Sequence, residues 1–381
     1  MAIGPISQVV SWRTLLLACA IATWSGCEDS DDEPTPGTVA VTADGSSYGP
    51  QDMAGPSPIT EPPNWPDAAA MDGATDAGAS ATTAFTLAVL PDTQIYSINY
   101  PGIFLAQTSW IVANAQRLNI PYVLHLGDIV DRNSELEWQR ASQAMWLLDG
   151  VVPYALATGN HDFGPGGSSI NRETLLNTYF SYQRIAAWPT FGGAFEAGKL
   201  ENTYHLFSAG GRNYIVIALE WGPRSEVIAW ADAIMVAHPD RYGILITHAY
   251  LNNNDRRYDI TDTAHPQEFN PHLYPTPGVN DGQELWEKLV RKHAFVMTLN
   301  GHVLGDGTGY LASVTDKGNI CHQMLSNYQF RNLGGEGYMR LLEFQRDGQT
   351  VNVRSYSPLY DTFLNEPDQN YTIKLDVPLS P

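Results

Sequence analysis

Residues 122–131 read YVLHLGDIVD. This stretch is an apolar run that ends in Asp128 and a further acid, Asp131. The same arrangement recurs at residues 85–94 (FTLAVLPDTQ) and 151–162 (VVPYALATGNHD), where apolar residues again lead into polar ones. Short apolar runs of this kind are typical of strands that are buried on both faces. Each stretch therefore predicts a buried strand with polar side chains at its carboxyl end.

Helical patterns separate these strands. Residues 102–118 show an amphipathic pattern, and residues 134–148 show another, with Ser134 and Glu137 at capping-box spacing. The order strand, helix, strand, helix, strand is typical of an α/β sheet. In such sheets the chemistry concentrates at the carboxyl ends of the strands.

The chain carries a large negative charge. It has 381 residues, with 21 Lys and Arg against 41 Asp and Glu, and a formal net charge of −20. A nucleic-acid backbone is also an anion, so we expect no nucleic-acid binding. Residues 28–84 contain eleven acids and no Lys or Arg, which leaves 20 basic against 30 acidic residues in 85–381. No stretch reaches about 18 consecutive apolar residues, so no mature membrane-spanning helix is expected.

Residues 1–27 have the pattern of a processing signal. Arg13 precedes a short apolar run, TLLLACAIAT at 14–23, and small residues then lead to Cys27. This resembles the lipobox of a bacterial lipoprotein. The resemblance implies a lipid on Cys27 and an exported chain anchored at the periplasmic or outer surface of the cell envelope. Two alternatives stay open: Cys19 is a better local match with almost no apolar run before it, and a plain secretory peptide would also export the chain.

The rest of the chain divides at its change of composition. Residues 28–84 are rich in Asp, Pro, Gly, Ala, Ser and Thr, and they bury too little to offset the entropy of ordering. We expect a disordered acidic tether there. Residues 85–381 predict one domain with insertions near 163–200 and 251–281. Since Cys321 lacks a disulfide partner once Cys19 and Cys27 are removed or lipidated, the core must stabilise this domain.

Metal-type ligands stand at the ends of the predicted strands. Carboxylates, amides and imidazoles are the donors from which proteins build divalent-metal sites. In chain order they are Asp92, Gln94, Asp128, Asp131, Asn160, His161, His248 and His302. Their order along the chain, rather than any one of them, is the strongest signal in the sequence.

The ordered set resembles the calcineurin-like metallophosphoesterase family. GDIVD is followed about thirty residues later by GNHD, and a strand-final His248 and the Gly-His at His302 complete the pattern. The resemblance runs from residue 85 to the hairpins after His302. It implies an α/β fold of four layers, α/β/β/α, in which helices flank two mixed β-sheets as in metallo-dependent phosphatases. It also implies a site for two metals where the strand ends converge.

The resemblance assigns the ligands to the two metals. Asp128 matches the carboxylate that bridges them, since one carboxylate can give an oxygen to each of two cations about 3.5–4 Å apart. Asp92 matches a ligand of the first metal. Asn160, His248 and His302 match ligands of the second.

The resemblance also assigns a proton donor. His161 matches the residue over the leaving oxygen of the substrate, where an imidazole can donate a proton. Asp162 is then expected to orient the His161 ring. We expect Asp131 to fix its loop as a hydrogen-bond acceptor rather than to bind metal.

Two positions depart from the family pattern, and both belong to the first metal. Gln94 stands where the family has a His, and Leu304 replaces the second His of its Gly-His-x-His motif. Gln94 can still offer an amide oxygen, whereas Leu304 offers nothing. We expect two ions, Mn, Fe or Zn, with the first position oxygen-only, better suited to Mn or Mg, and weak or empty. Asp306 could replace the lost His, or it could simply form a turn.

Some side chains outside the ligand set have two interpretations. Arg172, Arg256 and Arg257 lie in the two insertions, where a guanidinium could bind a substrate phosphate or stay a solvated loop charge. His322 could support the metal ligands from a neighbouring strand or be structural.

These observations predict a function. We expect metal-dependent hydrolysis of phosphate mono- or diesters by a metal-activated water at the cell envelope. The partners are then a phosphoester substrate and a membrane, the latter through the lipid anchor only. One alternative is an envelope-tethered, metal-dependent binding protein with the same fold and little or no turnover. Another is a structural envelope lipoprotein with a relic site.

Overall fold

The computed structural model describes residues 82–377. The predicted signal peptide with Cys27, and residues 28–81 of the predicted tether, lie outside the described residues. Within 82–377, no helix combines the length and the apolar character that a membrane crossing requires.

The described residues form two seven-stranded mixed sheets. The strands are β1 Phe85–Leu90, β2 Tyr122–His125, β3 Tyr154–Leu156, β4 Phe191–Ala194, β5 Thr203–Ala209, β6 Arg212–Ala218, β7 Tyr242–Ile246, β8 Phe295–Asn300, β9 Thr308–Val314, β10 Ile320–Ser326, β11 Met339–Phe344, β12 Thr350–Ser357, β13 Thr362–Phe363 and β14 Asn370–Lys374. The first sheet has the order β13-β12-β11-β1-β2-β3, with β14 also paired to β12. The second has the order β4-β5-β6-β7-β8-β10-β9. β1, β2 and β3 run parallel to one another, as do β6, β7, β8 and β10.

Helices connect and cover these strands. They are α1 Gln94–Asn99, α2 Pro101–Asn114, α3 Glu135–Met145, α4 Leu176–Tyr179, α5 Tyr182–Ala186, α6 Ser225–Ala237 and α7 Gly282–Lys288. Short 3-10 turns lie at Trp146–Leu148, Pro165–Gly167, Pro271–Leu273 and Val290–Lys292, and a tight turn lies at Asn332–Gly335.

The starts of α2 and α3 have local causes. Pro101 occupies the first turn of α2, where its missing N–H breaks no helical hydrogen bond. Ser134 is the N-cap of α3, but its side chain makes no capping hydrogen bond. The Glu137 carboxylate instead accepts the N–H groups of Asp131 and Arg132. The predicted capping box is therefore wrong, because Glu137 holds the preceding loop.

Three apolar clusters fill the spaces between four layers of secondary structure. Leu87 and Val216, from the two sheets, are fully buried in a cluster between them. Residues of α2 and α3 pack with the outer face of the first sheet, and residues of α6 and α7 pack with the outer face of the second. Successive strand residues point to opposite faces, which is why continuous apolar runs serve two cores at once. The predicted four-layer α/β/β/α sandwich of two mixed sheets is confirmed.

The two insertions differ in structure. Residues 163–200 contain α4, α5 and β4, and β4 pairs with β5 at the edge of the second sheet. Residues 251–281 are largely irregular, with a bridge between Leu251 and Arg257 and the single 3-10 turn at Pro271–Leu273.

Candidate metal centre

Three buried ligands from both sheets meet at one point. Asp128 follows β2, His248 follows β7 and His302 follows β8. One ligand atom of each lies within 4.8 Å of the others, and all three side chains are buried. Spacing of this kind allows one cation to contact all three. The strand ends thus converge as the sequence predicted.

Backbone carbonyls fix which ring nitrogens face the cluster. His248 donates from Nδ1–H to the carbonyl of Leu126 (2.8 Å), so Nε2 is its ligand atom. His302 donates from Nε2–H to the carbonyl of Phe269 (2.9 Å), so Nδ1 is its ligand atom. A hydrogen bond from the far nitrogen is what orients an imidazole for metal binding.

Two buried amide oxygens of the candidate ligands have no hydrogen-bond partner among the described residues. They are Asn160 Oδ1 and Gln94 Oε1. His248 Nε2 lies 3.0 Å from Asp128 Oδ2, which is ion-pair distance when His248 is protonated. Leaving a buried acceptor unpaired costs about 1–3 kcal/mol, so the two amide oxygens need an explanation. A cation supplies it, and the residues present fit a metal.

The electrostatics of Asp128 and His248 point the same way. Burial opposes the charge of Asp128, but His248 and His161 hold the pKa of its carboxyl well below its usual range. Burial also opposes the charge of His248, yet Asp128 and Asp92 raise its pKa to about 9. The proton held on His248 is the positive charge that a cation would replace. Burial and the charge of His248 lower the pKa of His302 to about 3, so its ring stays neutral.

Asp92 sits in a different environment. Its carboxylate accepts the backbone N–H of His302 (3.0 Å) and the side-chain amide of Asn327 (2.8 Å). Burial raises its pKa to about 7, with Asp128 adding to the rise and His248 opposing it. Sequence reasoning missed Asn327, which is fully buried one residue beyond β10. The only available signal was a polar residue at another strand end.

Two motif glycines are steric requirements of the site. A Cβ on Gly159 would lie 2.0 Å from Asp128 Oδ1, and a Cβ on Gly301 would lie 2.0 Å from Asp92 Oδ1. No side chain can occupy either position while the carboxylates keep their places. Gly159 therefore lets the loop after β3 approach Asp128, which follows β2. Gly301 likewise lets the loop after β8 approach Asp92, which follows β1.

His161 stands at the edge of the cluster. Its backbone N–H donates to Asp128 Oδ1 (3.0 Å), and its Nδ1–H donates to the carbonyl of Asp131 (2.8 Å). Its side chain is 35% exposed, so Nε2 is the nitrogen that a substrate can reach. Burial opposes protonation, but Asp128 and Asp131 raise the pKa of His161. The backbone carbonyl of Asp131, not its carboxylate, holds the His161 ring, so the loop-fixing role of the Asp131 side chain stays a prediction.

The expected role of Asp162 is wrong. Its carboxylate accepts the N–H groups of Val130 (3.0 Å) and Gly159 (2.7 Å) and does not hold the His161 ring. It ties the loop after β2 to the loop after β3. The carbonyl of Asp131, thirty residues away in sequence, orients the ring instead.

Comparisons with known proteins identify the family. The sequence profile of the calcineurin-like phosphoesterases matches residues 85–306. The chain belongs to this family. That stretch contains every candidate metal ligand described above, from Asp92 to His302. Members are metal-dependent phosphoesterases, which agrees with the ligand cluster.

Individual relatives differ in length from this chain. The uncharacterized protein YvnB of Bacillus subtilis (strain 168) is 33% identical over 306 residues, which are 77% of this chain and 22% of that protein. Purple acid phosphatase PPD1 of yellow lupin (Lupinus luteus) is 15% identical, with a TM-score of 0.47, over 77% of this chain and 54% of that chain. The NAD nucleotidase NadN of Haemophilus influenzae is 13% identical, with a TM-score of 0.39, over 77% and 51%. This chain thus spans about a fifth of YvnB and about half of each of the two structures.

The family's missing histidine leaves an exposed apolar residue. Leu304 is 38% exposed, and its aliphatic side chain has no atom that can bind a metal. Asp306 accepts the N–H of Thr308 through Oδ1 (3.2 Å), which is the turn interpretation rather than a substitute ligand. The departures at Leu304 and Gln94 therefore stand uncompensated by Asp306.

Arg172 is not available to a substrate. Its guanidinium donates to the carbonyls of Trp221 (2.7 Å), Gly222 (2.8 Å) and Pro277 (3.1 Å) and lies 3.4 Å from the Glu220 carboxylate. These contacts join the first insertion to the second. The prediction of a phosphate contact is wrong for Arg172, because both of its terminal nitrogens donate to carbonyls within the protein.

The other two insertion arginines divide. Arg257 lies against the ring of Trp286, with its guanidinium carbon 3.9 Å from the ring centroid. Its acceptors are Gln283, Ser313 and Gln323. Arg257 is therefore structural, contrary to the prediction. Arg256 is 52% exposed and lies 3.7 Å from Asp262, so it keeps the solvated interpretation.

His322 and Cys321 of β10 are buried structural residues. His322 donates from Nε2–H to the carbonyl of Lys374 (3.0 Å) and accepts from the Tyr310 hydroxyl (2.8 Å). Both nitrogens are used away from the metal ligands, so the supporting role is wrong. Cys321 is fully buried, and burial raises the pKa of its thiol, which suits a packing residue.

Proposed function

We propose that this domain hydrolyses phosphate mono- or diesters with the help of two bound metal ions, drawn from Mn, Fe and Zn. The observation that carries the proposal is the buried cluster of Asp128, His248 and His302 beside His161. Imidazole nitrogens around an ionised carboxylate fit a cation, and a partly exposed imidazole next to them fits a proton donor.

Each residue then has a defined task. Bound cations neutralise phosphoryl oxygens and lower the pKa of a water molecule. Asn160, His248 and His302, with Asp128, would hold one ion, and Asp92, Asp128 and Gln94 would hold the other. His161 keeps its Nδ1–H on Asp131 and presents Nε2, so it can give a proton to the departing alkoxide.

A second candidate is a metal-dependent binding protein with little turnover. The observation that favours it is Leu304, an exposed apolar side chain where the family has a metal ligand. If the Asp92 half of the site stays empty, the protein would hold one ion and bind a phosphoester without cleaving it.

The location of the activity is also a proposal. A lipid on Cys27 would anchor the domain at the cell envelope through the acidic tether, and the substrate would be met outside the cytoplasm. Replacing Cys27 by Ser in the full chain should release the protein from the membrane fraction. Retention of C27S in that fraction would overturn the lipid anchor.

The test of function combines metal content with turnover. The purified full-length protein is assayed for metal per chain, and for hydrolysis of an aryl phosphate monoester and diester with and without added Mn. Two metals and turnover establish the hydrolase. One tightly held metal, no turnover with any ion and an intact fold would instead establish the binding protein.

A further inference from the structure

The second insertion lays an aromatic residue over the metal ligands. The ring of Tyr274 lies 5.8 Å from the ring of His302 and 4.9 Å from that of Trp221, centroid to centroid. Trp221 in turn lies 4.8 Å from His302 and 5.9 Å from His248. Tyr274 is half-buried, so part of its side chain is accessible to solvent. It forms part of the wall above the ligand cluster.

The segment around Tyr274 is held on both sides. Before it, the carbonyl of Phe269 accepts from the ring of His302. After it, the hydroxyl of Thr276 accepts from Trp221 Nε1 (3.1 Å) and donates to the carbonyl of Ser169 (2.6 Å). These contacts reach a metal ligand, the end of the β6 region and the first insertion. The position of Tyr274 is therefore fixed before any substrate arrives.

The hydroxyl of Tyr274 is not used by the fold. Among residues 82–377 it makes no hydrogen bond, although the backbone around it is well bonded. Burial raises the pKa of Tyr274, and the charge of Asp128 adds to the rise. The phenol therefore keeps its proton and can donate a hydrogen bond.

Two of the insertion arginines are held within the protein. Arg172 donates from its terminal nitrogens to backbone carbonyls, and Arg257 donates to side chains. A phosphoryl group at the site would still need hydrogen-bond donors on the side away from the ligands, because charge builds on its oxygens during transfer. The Tyr274 hydroxyl, carried on a ring 5.8 Å from the His302 ring, is a partly exposed group of the second insertion that can supply such a donor.

We propose that the Tyr274 hydroxyl donates a hydrogen bond to a non-bridging oxygen of the substrate's phosphoryl group. The proposal rests on the proposed function, since it names a substrate contact at the same site. Tyr274 is then a substrate-binding residue of the second insertion, whereas His161 lies in the loop after β3. Inorganic phosphate, as the product that keeps these oxygens, makes the same contact.

Calorimetric binding of inorganic phosphate to the metal-loaded full chain tests this without turnover. Tyr274→Phe removes the hydroxyl and keeps the ring, so phosphate should bind about tenfold or more weakly, while metal content stays at the wild-type value. Tyr258→Phe is the matched control, because Tyr258 lies in the same insertion, 6.3 Å from the His302 ring, with a fully buried hydroxyl. Equal phosphate affinity in Y274F and wild type overturns the proposal, as does equal weakening in Y258F.

Steady-state kinetics separate this proposal from the proposed function. For an aryl phosphate, Y274F should lower kcat about tenfold to a hundredfold with a smaller change in KM, because the oxygens gain charge in the transition state. If the wild type never turns over but Y274F still loses phosphate affinity, the hydrolase fails and the Tyr274 contact stands. If the wild type turns over and Y274F matches it in kcat and in phosphate affinity, the hydrolase stands and the contact fails.

Discussion

The two metal positions that we propose share Asp128, and their surroundings are built in different ways. In the imidazole half, Asn160 with His248 and His302, backbone carbonyls orient both rings and Asn160 Oδ1 has no hydrogen-bond partner among the described residues. In the carboxylate half, Asp92 already accepts two hydrogen bonds, and its partner Gln94 stands where the family has an imidazole.

The difference shows in the protonation of the two carboxyls. Asp128 is ionised in its setting because His248 and His161 offset its burial. Asp92 has a pKa of about 7 because burial outweighs the donors around it. A cation must therefore displace a proton in either half at neutral pH, from His248 in the imidazole half and from part of the Asp92 population in the carboxylate half. Because the imidazole half offers two ring nitrogens and the carboxylate half has Gln94 and Leu304 where the family has imidazoles, the imidazole half should fill first and the carboxylate half second.

The largest effect should come from breaking the imidazole half. His248→Ala removes a ligand and the group that keeps Asp128 ionised, so we expect loss of the tightly held metal and turnover below detection. Metal content by mass spectrometry and aryl phosphate hydrolysis measure both. His265→Ala, at an exposed histidine, should change neither. A full metal complement in H248A would show that the imidazole half is not the primary site.

The next largest effect should separate proton donation from both metal positions. His161→Ala should lower kcat about a hundredfold or more while metal content stays constant, because the ring donates a proton without needing to be a ligand. The pKa of His161 is raised, so the donating form persists below that pKa and is lost as pH rises through it. Wild-type activity should therefore fall on the alkaline side, and H161A should lack that limb. A parallel loss of metal in H161A would contradict the assignment.

A smaller effect is expected where Asn327 supports Asp92. Asn327→Leu removes the amide donor at 2.8 Å, so the pKa of Asp92 should rise further. The cation at the carboxylate half should then bind about tenfold to a hundredfold more weakly. Activity titrated with Mn measures this affinity. Asn365→Leu, at an exposed residue, is the control. Unchanged Mn dependence in N327L would mean that Asp92 takes no part in metal binding.

The smallest effect should come from adding the family's missing ligand. Leu304 is exposed, so the fold should accommodate Leu304→His. Since an imidazole suits Mn, Fe and Zn, the affinity for the cation at the carboxylate half should rise up to about tenfold. Leu304→Phe supplies a ring without a nitrogen. If both variants behave alike, position 304 does not face the carboxylate half, and the asymmetry of the two halves has another origin.

The alternation of strands and helices and the order of the polar residues that end the strands are properties of the sequence alone. Buried parallel strands need continuous apolar runs, and the polar residues that end them lie on the same short segments. The candidate ligands could therefore be recognised from the sequence: Asp92, Asp128, Asn160, His248 and His302. These properties are local, because the strand and its terminal ligand are separated by only a few residues.

Only the tertiary structure decided which polar groups were already taken. Asn327 and Asp92 are 235 residues apart, Arg172 meets Pro277 across 105, and His161 is held by a carbonyl rather than by Asp162 beside it. The sequence displays a side chain's chemistry but not the backbone carbonyls that surround it after folding. Buried donors take whatever acceptor packing brings within about 3 Å, so such pairings follow from the path of the whole chain.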